Sequence, residues 1–337
     1  MVNVACLGAG YFSQFHLAGW GKIDTAQIVG VADSDVERAE ATGHPAFSSL
    51  KELLHVTRPD VLDIIVPPIA HAEAIQEALK YPLRAIICQK PFCRSIDEAR
   101  AMAMNAQKAG IPLIVHENFR FQPWYRSVRR QIDAGAIGRP LQATFRLRPG
   151  DGQGPKAYLA RQPYFQTMER FLVHETLVHW IDTFRFLFGP VQSVYSELRR
   201  INPVIAGEDA GFLLMTHDDD VRVMVDANRH LDHDAADTRC TMGEALIEGD
   251  HGALDLLGDG SVWHRPFGTR DRVQVLPPDQ SNTFGGDCTR LLQAHVIDGL
   301  ASGVFENLAA DYLSVLAVEE AAYQSSATGR KITLPRS

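Results

Sequence analysis

Cysteine is scarce and unpatterned in this chain. The five present in 337 residues, Cys6, Cys88, Cys93, Cys240 and Cys288, are odd in number and scattered, with no Cys-x-x-Cys spacing. That excludes a disulfide framework or a zinc ribbon and reads as free thiols in a reducing compartment. Positive charge is also short: 33 Lys and Arg stand against 41 Asp and Glu, a net charge of −8. Nucleic acid asks for a basic face or a high pI, and an anionic membrane surface asks for the same, so neither is expected as a partner. The most apolar long segment, 171–188, carries His174, Glu175, His179, Asp182 and Arg185, which excludes a membrane span. Internal repeats, low-complexity linkers and a basic or apolar leader before the first strand are missing too, so a cytoplasmic protein is expected. What remains is a globular composition, 45% apolar, in a chain long enough for two domains.

The stretch Val2-Asn-Val-Ala-Cys-Leu-Gly-Ala-Gly-Tyr-Phe-Ser-Gln-Phe-His16 reads as strand, tight turn, helix. Gly8 has the φ freedom that a sharp strand-to-helix turn requires, and Gly10 lacks the Cβ that would keep a pyrophosphate from the helix N-terminus. The third glycine of the dinucleotide fingerprint is absent; Ser13, small enough for close helix–strand packing, holds its place. Gln27-Ile-Val-Gly-Val-Ala-Asp33 reads as a buried second strand. It ends on a carboxylate about 20 residues past Gly10, where a Rossmann unit places the acid that holds the adenosine ribose. Asp33 is that acid, the cap of a helix starting near Ser34, or both. Its charge repels a 2′-phosphate, and the nearest Arg is Arg38, so NAD is expected ahead of NADP.

Beyond Asp33, helices are predicted over 34–42, 49–56, 72–80 and 96–109, and strands over 61–66, 85–88 and 113–116. This alternation implies a doubly wound parallel sheet, a Rossmann domain of residues 1–119. From Arg120 the rhythm changes to a helix over 124–134, alternating runs over 142–148, 194–200, 211–216, 221–227 and 245–248, and closing helices near 288–300 and 308–325. The expected fold class is α/β, with a second, α+β domain of residues 120–337 built on a mostly antiparallel open sheet. Thr216-His-Asp-Asp-Asp-Val221 reads as a hairpin tip rather than a metal site, and no metal is expected.

Two constellations carry chemistry. Cys88-Gln-Lys-Pro-Phe92 lies at the carboxyl end of a buried strand, the edge where open α/β sheets bind ligands; Lys90 is either a catalytic group or a surface lysine at a strand end. His174-Glu-Thr-Leu-Val-His-Trp-Ile-Asp182 fails as a zinc helix, because residues five apart are separated by roughly 140° around an α-helix. Glu175 and His179, four apart, share a face, so the carboxylate can support a protonated imidazole; the bland reading is a satisfied core histidine. Arg146 and Arg148, two apart on one strand face, either meet a sugar acid or face solvent.

Together the glycine turn Gly8-Ala-Gly10, Asp33, Val66-Pro-Pro-Ile-Ala-His71, Gln89-Lys-Pro91, Asn118-Phe-Arg-Phe121 and Glu175…His179…Asp182 before Gly189 resemble the glucose-fructose oxidoreductase, inositol dehydrogenase and rhizopine catabolism family (Gfo/Idh/MocA) over the whole chain. In that family a Glu-Lys-Pro lysine and an Asp-x-x-x-His histidine flank the nicotinamide, which implies Lys90 and His179 as the catalytic pair with Glu175 beside them. Gln89 replaces the usual Glu, and Glu175 the usual Asp. The resemblance implies cofactor contacts at Gly8, Gly10, Tyr11, Phe12, Asp33, Ser34, Pro67, His71, Gln89, Lys90 and Gln162. It implies substrate contacts at Lys90, Asn118, Arg120, Trp124, Arg161, Tyr164, Glu175 and His179. Trp124 and Tyr125 have a packing reading as well.

The reaction so implied is NAD-dependent oxidation of a sugar or polyol, with His179 as base and Lys90 orienting the hydroxyl. Gln89-Lys-Pro with His116-Glu-Asn-Phe-Arg-Phe-Gln-Pro-Trp-Tyr125 looks like a branch that oxidises an aldose, D-apiose, to its lactone. The competing class is a nucleotide-binding regulator of the same fold that has lost the chemistry. A reductase of a large planar ligand would favour an apolar platform over this acid and base. A homodimer or homotetramer is implied, paired through the open sheet of the second domain.

Overall fold

Short apolar strands and capped helices alternate through the first third of the chain: β1 (Val2–Leu7), α1 (Ser13–Trp20), β2 (Ala26–Ala32), α2 (Val36–Glu40), β3 (Ala46–Phe47), α3 (Leu50–Thr57), β4 (Val61–Ile64), α4 (His71–Ala78), β5 (Ala85–Gln89), α5 (Ile96–Ala109) and β6 (Leu113–His116). The caps explain the helix ends. Ser49 and Ser95 each accept the backbone N–H of the Glu three residues on, and α5 stops at Gly110 in the left-handed conformation. The six strands pair in parallel in the order β3-β2-β1-β4-β5-β6. That order reverses direction between β1 and β4, and the loops leaving their carboxyl ends therefore border a ligand crevice.

The structure is a computed structural model that describes residues 1–281 and 283–335. The chain divides into two units, Met1–Asn118 with Asp287–Leu313, and Phe119–Gly286 with the chain from Ser314 on. Residues 287–313, expected in the second domain, group with the first unit. Gly19 on α1 leaves room for Gln293 of α8 (Cys288–Ser302), since a Cβ there would stand 2.2 Å from Gln293 Oε1. Asn307 Nδ2 also donates to Glu117 O at 2.6 Å.

In the second unit α6 (Pro123–Asp133), β7 (Pro140–Leu147), α7 (Val178–Phe188), β8 (Val191–Arg199), β9 (Ala210–His217), β10 (Arg222–Asn228), β11 (Gly243–Gly249), β12 (Gly252–Leu256), β13 (Val262–Pro266) and β14 (Val273–Leu276) are followed later by α9 (Ala309–Thr328), which begins in the first unit, and β15 (Ile332–Thr333). They form one nine-stranded sheet, ordered β14-β13-β12-β11-β7-β10-β9-β8-β15, antiparallel except where β10 runs parallel to β7. Alternation gives the sheet two faces. Ala143, Phe145, Leu213, Met215, Val223, Val225 and Ile247 are buried, and Phe145 stacks on Trp180 of α7 at 4.4 Å. Phe212, Leu214 and Met224 stand exposed on the other face, and Leu214 pairs directly with Met224.

Each unit holds a neutral buried histidine. His71 Nε2 bonds Val66 O at 2.8 Å and its Nδ1 accepts the Cys93 N–H; His217 Nδ1 bonds Gly189 O at 2.9 Å. Burial pushes both down to about 4. Between that value and the ordinary histidine range the unfolded chain binds more protons than the native one, so stability is complete above about pH 6.5 and declines as pH falls toward 4. At pH 5 each should have lost on the order of 2 kcal/mol relative to pH 7.5. Urea midpoints at the two pH values check this: the His71→Gln/His217→Gln protein should lose less between them than the parent, and an equal loss would contradict the assignment.

Candidate active site

At the first sheet's carboxyl edge, the turn after β1 shows why glycine is needed. Gly8 sits at φ +106°, and a Cβ there would come within 3.0 Å of Ile65 C and Val66 N. A Cβ on Gly10 would meet nothing within 4 Å, so this position opens onto space at the head of α1. Ser13 is buried, and its Oγ donates to Gly10 O at 2.6 Å, closing the turn from below. Asp33 Oδ2 accepts the Ala9 N–H at 2.7 Å and Oδ1 the Asp35 N–H at 2.9 Å, so the carboxylate ties the end of β2 to the glycine turn. The N-cap of α2 is Asp35, not Asp33. Tyr11, Ser34 and Pro67 are exposed on the same edge, and Phe12 is half-buried. A glycine turn at the switch point, an open position at Gly10 and an acid after β2 are what a dinucleotide requires, and these residues fit it.

His71, expected among the cofactor contacts, has a fully buried ring whose two nitrogens are engaged by Val66 O and the Cys93 N–H, so it braces the Val66 loop.

Lys90 follows β5 half-buried, its peptide bond to Pro91 is cis, and its N–H donates to Gln89 Oε1 at 2.7 Å. Gln89 Nε2 lies 3.0 Å from His16 Nε2, and His16 Nδ1 lies 2.9 Å from Asp63 Oδ2. The Trp20 indole N–H donates to the same Asp63 oxygen at 2.8 Å. Asn118 donates to Thr289 Oγ1 at 3.1 Å, both in the first unit.

In the second unit the segment before α7 departs from expectation. Leu172–Leu177 is a π-helical turn, with the Val178 N–H reaching back to Val173 O, and the α-helix starts only at Val178. The α-helical arithmetic applied to His174, Glu175 and His179 therefore does not hold across this turn, and such turns recur at functional sites. His174 Nδ1 meets Glu319 Oε1 of α9 at 2.6 Å. His179 is buried, its ring stacked on Phe119 at 3.8 Å and 7°, which fixes the imidazole plane. Glu175 Oε2 accepts the Thr176 hydroxyl at 3.0 Å.

Arg120 and Trp124, expected among the substrate contacts, are both buried. Arg120 Nε and Nη2 fork onto Asp182 at 2.8 and 2.6 Å, in a buried pair that anchors the Phe119–Phe121 turn to α7. Trp124 is fully enclosed, its indole N–H donating to Gln122 Oε1, and Tyr125 accepts the Trp180 indole N–H; both are packing residues. The arginine pair suggested for a sugar acid also separates: β7 ends at Leu147, Arg146 points outward near Glu244, and Arg148 is buried against Asp226.

The loop carrying Arg161, Gln162 and Tyr164 is held by residues no motif announced. Arg229, just past β10, is fully buried over the rings of Tyr158, Phe165 and Phe171. It donates to Asp151 at 2.8 and 3.1 Å and to Thr176 Oγ1 at 2.6 Å; Arg161 donates to the same Asp151 at 3.1 Å. One buried guanidinium thus joins this loop to the π-helical turn beside Glu175. Gln162 Nε2 donates to the Tyr164 hydroxyl at 3.1 Å. Burial, then the charge of Glu175, pushes that phenol up to about 12, so half-exposed Tyr164 stays a neutral donor. Among the described residues no group of three or more His, Cys, Asp and Glu is arranged to hold a metal, and no helix is long and apolar enough to cross a membrane.

Residues 2–117 match the model of an oxidoreductase family with an NAD-binding Rossmann fold, and residues 125–255 that of the GFO/IDH/MocA C-terminal domain. D-apiose dehydrogenase of Paraburkholderia graminis is 33% identical over 98% of this chain and 89% of its own length. D-apiose dehydrogenase of Rhizobium rhizogenes is 28% identical over 98% and 96%. An oxidoreductase from Agrobacterium radiobacter, solved with NAD+, L-tartaric acid and magnesium, superposes with a TM-score of 0.89 at 27% identity over 98% of both chains. With a glycine turn on a Rossmann sheet and a matching second domain, the chain belongs to the Gfo/Idh/MocA family of oxidoreductases.

Proposed function

We propose that this chain is an NAD-dependent sugar dehydrogenase that oxidises an aldose, of the kind represented by D-apiose, to its lactone. The observation that carries the reading is near-full-length similarity to two D-apiose dehydrogenases in a chain that keeps Lys90 and His179. The bound nicotinamide supplies the hydride acceptor. His179, its plane set by Phe119, takes the hydroxyl proton, and Glu175 supports the imidazolium charge. Lys90 hydrogen-bonds the oxygen that becomes the carbonyl. Arg161 and the neutral Tyr164 phenol offer donors to the sugar hydroxyls, and Gln162 orients Tyr164. In this reading Gly8, Gly10, Tyr11, Phe12, Ser34 and Pro67 hold the dinucleotide.

Asp33 selects NAD. Its carboxylate stands where a 2′-phosphate would bring more negative charge, and Arg38, the nearest cation in sequence, is paired with Asp35 at 3.1 Å. NAD should therefore exceed NADP in kcat/KM by at least about 10-fold, and Asp33→Ser should narrow that ratio. A parent enzyme indifferent to the 2′-phosphate would contradict this role.

Assembly is proposed through the exposed face of the nine-stranded sheet, where Phe212, Leu214 and Met224 form an apolar patch, as a homodimer or a dimer of dimers. The compartment proposed is the cytoplasm, from the unpaired cysteines. The test is NADH formation by the purified protein with a panel of aldoses, polyols and hydroxy acids, D-apiose included. Turnover with an aldose and recovery of the lactone support the reading. Tight NADH binding with no turnover on any of them would favour the non-catalytic regulator.

A further inference from the structure

Gln89 stands where the family usually has Glu, and its surroundings show what an amide does there that a carboxylate cannot. Its orientation is not a free choice between O and N. The Lys90 backbone N–H can only donate, so the amide atom 2.7 Å from it is the oxygen. The other end, Nε2, can only donate, and it faces His16 Nε2 at 3.0 Å. That imidazole nitrogen must therefore be bare. The ring proton lies on Nδ1, which donates to Asp63 Oδ2 at 2.9 Å, and the Trp20 indole N–H donates to the same oxygen at 2.8 Å. His16 and Asp63 are fully buried, Gln89 is 8% exposed, and Gln293 Nε2 donates to His16 O at 3.0 Å.

The neighbouring titratable groups come from four strands. His116 of β6 lies against the His16 ring at 4.1 Å between centroids. Asp63 is on β4. Cys6 of β1 and Cys88 of β5 stay thiols, raised by burial and by the charge of Asp63. From Asp63 through His16 and Gln89 to the Lys90 backbone, each contact pairs one donor with one acceptor while His16 is neutral.

We infer that Gln89 is a positioning residue: its amide fixes His16 as the neutral Nδ1–H tautomer and with its other end holds the Lys90 backbone, so the protonation state of His16 is transmitted to the turn that carries Lys90. A second proton on His16 puts donor against donor at Gln89 Nε2 and releases the turn. A carboxylate at position 89 reverses the requirement. It matches His16 only when both ring nitrogens carry protons, one toward Asp63 and one toward residue 89. The kinetic consequence rests on the proposed role of Lys90; the tautomer does not.

The first test is imidazole nitrogen NMR of the full-length protein with 15N-histidine at pH 7.5, the His16 signals identified by their loss in His16→Asn and by their displacement in Gln89→Glu. The parent should show one protonated nitrogen, Nδ1, and one bare nitrogen; Gln89→Glu should show both protonated. A parent His16 protonated on Nε2, or a ring unchanged by Gln89→Glu, would overturn the inference. The second test is the pH profile of kcat, where Gln89→Glu should shift the optimum to acid by about one pH unit or more. A merely structural role would lower the rate equally at every pH and leave the shape unchanged, which would also overturn it. If the parent turns over no sugar, the dehydrogenase reading fails, while the nitrogen spectrum still decides the tautomer.

Discussion

Lys90→Met and His179→Ala proteins should each form NADH at least about 10²-fold more slowly than the parent at saturating sugar, with NADH affinity nearly unchanged. The two losses have different origins. His179 is the proposed base, and its stacking on Phe119 leaves the imidazole little freedom to turn away from its task. Lys90 is held at the carboxyl end of β5 by the Gln89 amide, and methionine keeps the length of its stem but removes the charge and the donors. The alanine at 179 also uncovers one face of Phe119, so fluorescence titration with NADH and a urea midpoint should accompany the rates. Near-normal turnover in either folded variant would remove that residue from the chemistry.

The largest expected effect on stability comes from Arg120. Its fork onto Asp182 is buried on both sides, and a second cation, Arg185, lies 3.7 Å from the same carboxylate. Replacing Arg120 by Met removes the forked partner and leaves Asp182 only the looser Arg185 contact in a site with almost no solvent, a loss of up to about 3–5 kcal/mol. The expected result is a urea midpoint well below the parent's, recovered in part by adding Asp182→Asn, which removes the under-compensated charge. A substrate-binding role would instead raise the KM for sugar and leave the midpoint in place. That outcome would contradict the structural assignment.

The residues that were legible are those whose role is local. The glycine turn needs a conformation only glycine adopts cheaply, and β1, β2 and β4 are short runs rich in buried apolar residues. Ser95, Glu98 and Gly110 mark the ends of α5 within the sequence itself, and the predicted ends of α5 and β6 coincide with those observed. The π-helical turn was not legible, because one extra residue per turn leaves no mark in an apolar pattern and is set by what the segment packs against. Strands β12 to β14 hide for a related reason: Gly252, Asp255, Trp263, His264 and Gln274 break the alternation, and pairing with their neighbours makes them strands. The two-residue strands β3 and β15 are too short to carry a period at all.

Side-chain roles divide in the same way. A histidine after Val66-Pro-Pro looks equally available to a ligand and to a carbonyl, and only the fold shows His71 turned to Val66 O. Asp151 and Arg229 are far apart in sequence, so nothing local links them. A single arginine ending an alternating strand carries no signal until it is found buried beneath three aromatic rings.

The central claim is a hydride moved from a sugar carbinol carbon, and deuterium follows it directly. D-Apiose, or whichever aldose the panel selects, is prepared with deuterium at the anomeric carbon, incubated with the protein and NAD in ordinary water, and the reduced cofactor is weighed by mass spectrometry. The expected products are NADH carrying one deuterium at C4 and a lactone that has lost it. NADH without deuterium, or no NADH from any labelled aldose by protein that binds the cofactor, would contradict it.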